Sequence, residues 1–367
     1  MNSLNKLILL INNNPANSGV GRYAFSLYSQ LRKMVGTQVG LISWDQQLFG
    51  RAFRMFRPLR LEWAYYIIML KLLARKLGNK NFLVHITNAG YLSSIIPEVK
   101  RKSKLLIITV HDLIPYIMPR GTSDTLVRKH MKKVKFADYL ICPSEDTKRD
   151  LSRFMVFDSG KVKIVYHGVD HDLFRPRDKL EARKKLRLPL DKPIILNVGS
   201  EEPRKNIPTL LNAFKKLLSD APDTLLVRVG ERTAGIENLI KTLGLSGKVL
   251  YRRASANELA YYYNAGDMLV HPSFYEGFGN PPLEAMASGI PVIAGNRGSI
   301  PEVVGDSGIL LDPFDIDGFA YWMREVLTNE DLRIKLSEAG YRRSLNFSWE
   351  KCAKETLEVY KEVLGEA

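Results

Sequence analysis

Cysteine is nearly missing from this chain. Its 367 residues hold only Cys142 and Cys352, far apart in sequence. A disulfide framework is therefore excluded, and a reducing compartment is expected. Long apolar runs are missing too. The longest, Trp63–Leu73, is interrupted by Lys71 and falls short of the ~20 residues a membrane-crossing helix needs. The N-terminal run Leu7–Ile11 is brief and passes into Asn12-Asn-Asn-Pro15. It has no small-residue cleavage site, so no secretory signal is expected. Histidines His85, His130, His167 and His271 show no metal-ligand spacing with acids or cysteines, and no structural zinc is expected. Low-complexity segments are lacking as well.

Acidic residues are scarce in one half only. Residues 1–175 hold 28 Lys and Arg against 12 Asp and Glu, a balance of +16. Residues 176–367 hold 26 against 27, a balance of −1. The whole basic excess thus sits in the first half. The hydrophobic share of 45% and charged share of 25% are ordinary for a globular protein, and the length suits two domains, each with its own core.

What the sequence does have is alternation. Strand-like runs at Lys6–Ile11, Gln38–Ser43, Phe82–Ile86, Lys104–Val110, Tyr139–Cys142 and Val162–Tyr166 are separated by helical patterns. A polar stretch, Gly168 to Pro176, reads as a linker. A second series follows at Pro193–Val198, Leu225–Val229, Val249–Tyr251, Met268–His271, Pro291–Ala294 and Gly308–Leu311. This spacing predicts two Rossmann-like domains built on parallel sheets, with ligands outside the carboxyl ends of the strands and a cleft between the domains. Helical spacing of Cys352, Leu357, Tyr360 and Val363-Leu364 predicts a final helix.

Chemistry concentrates in four places. Glu276 and Glu284 stand eight residues apart in Ser273-Phe-Tyr-Glu-Gly-Phe-Gly-Asn-Pro-Pro-Leu-Glu284. The first lies in a Gly-rich loop after a strand, the second about one turn into a helix opened by Pro281-Pro282. Backbone N–H groups there suit an anion, while the two acids suit hydroxyl groups; a nucleotide sugar carries both. On its own, Glu284 reads first as an acid favoured by the helix dipole; the Gly-rich loop and Arg204-Lys205 turn the reading toward a ligand. Arg204-Lys205 precede a helix that Asn206 can cap. Cations at a helix start oppose the dipole and suggest a bound anion, the alternative being a solvated basic helix end. His111 sits at a strand's carboxyl end, where site residues gather; otherwise it is a loop histidine held by hydrogen bonds. Gly19-Val-Gly-Arg-Tyr-Ala24 matches the dinucleotide pattern G-x-G-x-x-A, with Asp45 where a ribose-binding acid would stand. An NAD-type oxidoreductase is the serious rival, although the seven residues from Asn12 to Ser18 are too many for a tight first turn. Arg51, Arg54, Arg57, Arg60, Lys71, Arg75 and Lys76 interleave with Phe53, Phe56, Trp63, Tyr65 and Tyr66, and a second basic run covers Arg128–Lys135. These suit an anionic membrane surface. A nucleic acid or plain basic helix faces are the alternatives.

The Glu276–Glu284 block resembles the Glu-x7-Glu motif of the retaining GT-B glycosyltransferases of the large group 1 family, in particular O-antigen-type mannosyltransferases. Ser18-Gly-Val-Gly-Arg-Tyr23, His111-Asp-Leu-Ile-Pro115, Tyr166-His-Gly-Val-Asp170, Glu202-Pro-Arg-Lys-Asn206 and Ile300-Pro-Glu-Val-Val-Gly-Asp306 extend the resemblance over nearly the whole chain. It implies an acceptor-binding domain over 1–172 completed by a C-terminal helix at 350–367, and a nucleotide-sugar-binding domain over 173–349. It also implies transfer of a hexose with retention of anomeric configuration. GDP-mannose is the preferred donor and UDP-hexoses stay open. The acceptor is a lipid-linked or glycan hydroxyl at the cytoplasmic membrane face.

By resemblance, Arg204 and Lys205 hold the donor diphosphate and replace a metal, although Asp170/Asp172 and Asp315/Asp317 repeat an Asp-x-Asp pattern. Glu276 lies beside the donor sugar, and Glu284 accepts from the ribose. Backbone N–H groups of Gly277, Phe278, Gly279 and Asn280 reach the sugar and phosphate. Gly19 and Gly21 face the donor phosphates, Arg22 contacts the acceptor or an anion, and His111 approaches the transferred sugar. Asn280 departs from the family pattern, which often has an aliphatic residue there.

Overall fold

The computed structural model describes residues 7–12, 14, 18–43, 82–103, 105–119 and 122–365. The basic and aromatic residues from Arg51 to Lys76, and Asp45, lie outside them. Two compact units result: residues 1–168 with 349–367, and residues 169–348.

The first unit is a parallel sheet in the order β2-β1-β3-β4-β5-β6. Its strands are β1 (Leu7–Asn12), β2 (Val39–Ser43), β3 (Phe82–Ile86), β4 (Leu105–Thr109), β5 (Tyr139–Cys142) and β6 (Val162–Ile164). They read as continuous apolar runs because a parallel sheet is covered on both faces. One face packs Leu9, Val84, Leu106, Ile108 and Leu140 against Ile96, Val99 and Val134. The other packs Ile8, Leu10, Leu83 and Ile107 against helix α1 (Gly19–Val35) and the C-terminal helix Trp349–Leu364. That last helix contributes Cys352, Ala353, Val359, Tyr360 and Leu364 to this core.

The second unit is a parallel sheet in the order β12-β11-β10-β7-β8-β9, from β7 (Ile194–Val198), β8 (Leu225–Val229), β9 (Val249–Arg252), β10 (Met268–His271), β11 (Val292–Gly295) and β12 (Ile309–Leu311). Helices Ile207–Leu217 and Ile316–Thr328 supply Leu210, Phe214, Phe319 and Met323 to its core. All twelve strand-like runs of the sequence are strands, with ends displaced by two residues at most. The reversal of strand order falls between β7 and β10, and in the first sheet between β1 and β3. In open α/β sheets such reversals open a crevice at the carboxyl ends.

Candidate active site

In the second unit, the loop after β7 carries Arg204 and Lys205, and the loop after β10 carries Glu276. Both loops leave the sheet on its carboxyl side, at the reversal. Arg204 and Lys205 belong to a single 3-10 turn, Pro203–Lys205, before the helix that starts at Ile207. Asn206 adopts a left-handed conformation at φ 52° and its side chain makes no cap. The expectation of a capping Asn206 is thus corrected. Its Nδ2 instead donates to the Pro313 carbonyl at 2.6 Å, and this ties the turn to the loop after β12.

Glu276 is the hub. Its Oε2 accepts from Arg204 Nη1 at 2.7 Å, and its Oε1 accepts from Lys205 Nζ at 2.5 Å, His271 Nε2 at 2.9 Å and Ser273 Oγ at 2.8 Å. The carboxylate is almost wholly buried, with 6% of the residue exposed. Burial alone would raise its pKa. Lys205, the His271 hydrogen bond and Arg204 outweigh burial and hold the carboxyl well below its ordinary range. Burial pushes Lys205 down, an effect opposed by Glu276. It also pushes His271 down, so that imidazole is neutral and donates from Nε2. Arg204 Nε holds Glu202 at 2.7 Å, and Nη1 also donates to the Tyr275 carbonyl at 3.2 Å.

The backbone around this cluster is pinned. Phe274 N donates to Arg204 O at 2.7 Å, and Ser299 Oγ donates to Glu276 O at 2.8 Å. Gly279 stands at φ 109°, and a Cβ there would lie 2.8 Å from Ile300 Cδ1, so only glycine can turn the chain into the helix Asn280–Ala287. Glu284, buried on that helix, accepts from Tyr263 Oη at 2.8 Å.

Arg228 on β8 secures the other loop from below. It is fully buried. It hydrogen-bonds Asn197 Oδ1, reaches the Gly199 carbonyl at 3.3 Å and lies 3.7 Å from Glu201. Asn197 in turn donates to the Val270 carbonyl at 2.7 Å, joining β8, β7 and β10. His271, Ser273, Tyr263 and Arg228 were not picked out as site residues by sequence reasoning, which noted for His271 only that it has no metal-ligand spacing. The one available signal was the position of His271 at the carboxyl end of β10.

His111, Gly19, Gly21 and Arg22 belong to the first unit. Ser18 caps α1, accepting from Gly21 N at 3.0 Å. Two residues after Gly21, Tyr23 sets its ring edge against His111, centroids 4.8 Å apart, and His167 packs on both. His111 Nε2 donates to the Thr87 carbonyl at 2.7 Å, so in the neutral ring Nδ1 is a bare acceptor. Among the described residues Nδ1 has no partner. Burial lowers the His111 pKa to about 4 despite that hydrogen bond. His85 links Tyr360 Oη at 2.6 Å to Thr109 Oγ1 at 2.8 Å, and Thr109 lies 3.0 Å from Tyr23 Oη. The Asp-x-Asp pairs have local partners: Asp170 accepts from Asp172 N and Leu173 N, Asp315 accepts from Gly318 N, and Asp317 pairs with Lys216.

Residues 178–343 match the family model described as glycosyl transferases group 1, and residues 17–173 match that of glycosyltransferase family 4. Both segments thus match glycosyltransferase families, the N-terminal one family 4 and the C-terminal one group 1. The chain's relatives include the O-antigen chain mannosyltransferase B of Escherichia coli, 28% identical over 328 residues, covering 86% of this chain and 81% of that one. The D-inositol 3-phosphate glycosyltransferase of a Nocardioides species is 33% identical over 253 residues, 64% of this chain. The match spans just over half, 55%, of that relative's length. Among solved structures, the sucrose-phosphate synthase of Thermosynechococcus elongatus superposes with a TM-score of 0.78 at 22% identity, over 98% of this chain and all of that one. The chain thus has the GT-B fold.

Proposed function

We propose that this glycosyltransferase moves a hexose, mannose in preference, from a nucleotide-sugar donor to an acceptor hydroxyl, with retention and without a metal. The observation that carries the proposal is the buried cluster of Arg204, Lys205 and Glu276 at the strand-order reversal of the second sheet. In this proposal the C–O bond from anomeric carbon to diphosphate breaks, and its electron pair stays on the leaving phosphate oxygen. The acceptor hydroxyl forms the new C–O bond and passes its proton to that phosphate. Arg204 and Lys205 meet the growing negative charge. Fixed charges of this kind are worth about 3–4 kcal/mol each in the transition state. Glu276 orients sugar hydroxyls and faces positive charge at the anomeric carbon. Backbone N–H groups from Gly277 to Asn280 take the phosphates and sugar. Glu284, steadied by Tyr263, takes the ribose. His111 offers its bare Nδ1 to a hydroxyl of the sugar, and Arg22 faces the acceptor.

Mannose, and GDP-mannose as its donor, follow from likeness to the O-antigen mannosyltransferase; UDP-hexoses are the second choice. A lipid-linked acceptor at the inner membrane face, reached by peripheral docking, fits the basic first unit. Among the described residues no helix is long and apolar enough to cross a membrane.

A thermal-shift panel with GDP, UDP, ADP and NAD, each with and without magnesium, tests the donor site. A nucleotide at about 100 times its Kd should add about 2.7 kcal/mol of stability. We expect GDP or UDP to raise Tm, magnesium to change nothing, and Lys205→Met to abolish both the shift and sugar transfer. A response to NAD alone would overturn the proposal.

A further inference from the structure

Both cations assigned to the donor diphosphate are already engaged by one carboxylate of the same chain. Glu276 spans Arg204 Nη1 at 2.7 Å and Lys205 Nζ at 2.5 Å. Arg204 is also committed to Glu202 on its Nε side, so two cations and two carboxylates balance. Lys205 and Glu276 are 8% and 6% exposed. A diphosphate added to this balanced cluster, whose Lys205–Glu276 pair is buried, would meet the Glu276 charge poorly screened, and uncompensated buried charge is costly. The conflict has a local solution. Hydrogen bonds from Ser299 to the Glu276 carbonyl and from Phe274 N to the Arg204 carbonyl fix the backbone, so only the Glu276 side chain needs to turn. Ser273 and His271 oppose that turn by holding Oε1.

We infer that Glu276 is a built-in competitor of the donor diphosphate, occupying Arg204 and Lys205 until the diphosphate displaces its carboxylate toward the sugar. The inference rests on the donor reading above. Diphosphate arrival and delivery of Glu276 to the sugar become one event. A bare nucleoside diphosphate must displace the same carboxylate without sugar hydroxyls to receive it, which weakens its hold and favours product release.

The test is calorimetric titration of GDP and of UDP into the wild-type chain, Glu276→Gln and Ser273→Ala. E276Q keeps the shape of the side chain but removes its charge and turns one of its two acceptor oxygens into an NH2 donor, so it grips the two cations less. It should bind the preferred nucleoside diphosphate about 5-fold or more tightly than wild type, a typical coupling between competing ligands, while losing transfer. S273A leaves the charge and both cations in place and only loosens Oε1. It should bind about 2-fold more tightly, and it decides the matter should E276Q fail to fold. Unchanged or weaker binding in the folded variants, with wild type binding normally, would overturn the competitor and leave the donor reading standing. Failure of wild type and variants alike to bind either nucleotide would overturn the donor reading, and the inference with it.

Discussion

At the scale of single residues, burial decides protonation. His85, His111 and His271 are all buried, and in each burial lowers the pKa from the ordinary 6.5, to about 3 for His85 and about 4 for His111. The sign follows from linkage. Above pH 6.5 neither the folded nor the unfolded chain protonates these rings, so their contribution to stability is complete. Below 6.5 the unfolded chain takes up protons that the folded chain refuses, and stability falls until the folded rings titrate, near pH 4 for His111 and near 3 for His85. Each proton is worth about 1.4 kcal/mol per pH unit, so His85 and His111 together give the first unit about 3 kcal/mol per pH unit at the steepest, and His271 acts in the same direction on the second. Glu276, held low, adds a loss in the same direction only below its ordinary 4.5. The urea midpoint should therefore drop between pH 7 and pH 5, before carboxylates titrate, and His85→Gln should flatten that drop. A flat midpoint in wild type would refute neutral buried rings. The same shift predicts no inflection from His111 near 6.5 in the pH–rate profile, since Nδ1 stays a bare acceptor down to about pH 4.

At the scale of elements, the C-terminal helix is part of the first unit's core although some 180 residues separate it in sequence. Its Tyr360 hydroxyl reaches His85 on β3, which continues through Thr109 on β4 to Tyr23 on α1. Tyr360→Phe removes a hydroxyl and leaves His85 Nδ1 buried without its partner, which should cost about 1–3 kcal/mol in the first unit's urea transition with an unchanged m-value. A loss below about 0.5 kcal/mol, the scatter of neutral substitutions, would show that the link is slack. The helix itself was legible from the spacing of Cys352, Tyr360 and Leu364, and the strands from apolar runs, because buried parallel strands and amphipathic helices write their burial into local composition. The loops at the site were legible as motifs: Arg204, Lys205 and Glu276 meet as one cluster. Their supports were not. Nothing in the local sequence marks Arg228 on β8 as the brace under Gly199, or Tyr263 as the partner of Glu284, because those contacts arise from strand order and helix packing. Asn206 shows the opposite error: a residue type suited to a cap was assigned one, and tertiary contact with Pro313 took the side chain instead.

At the scale of the whole molecule, charge divides along the same line as the chain. Residues 1–168 with 349–367 hold 30 Lys and Arg against 15 Asp and Glu, and residues 169–348 hold 24 of each. The net +15 therefore belongs entirely to the first unit. Within its described part, the helix Thr122–Met131 and the turn after it expose Lys129, Lys132 and Lys135 beside Leu126 and Phe136, 40% and 51% exposed. Cations flanking exposed apolar side chains match an anionic bilayer surface, where each basic residue is worth about 1 kcal/mol and apolar residues enter the interface. The chain should sediment with phosphatidylglycerol vesicles and stay in solution with phosphatidylcholine vesicles. Raising salt from 0.1 M to 1 M shortens the Debye length from about 10 Å to about 3 Å and should release it. Charge reversal at Lys129, Lys132 and Lys135 should lower vesicle affinity about 100-fold or more, at about 1 kcal/mol per cation lost, while the nucleotide response proposed for the donor site stays unchanged. Equal binding to both lipids, or a charge-reversed variant that binds as wild type does, would remove this face from consideration. The basic segment between Arg51 and Lys76 would then have to supply whatever membrane contact the chain makes.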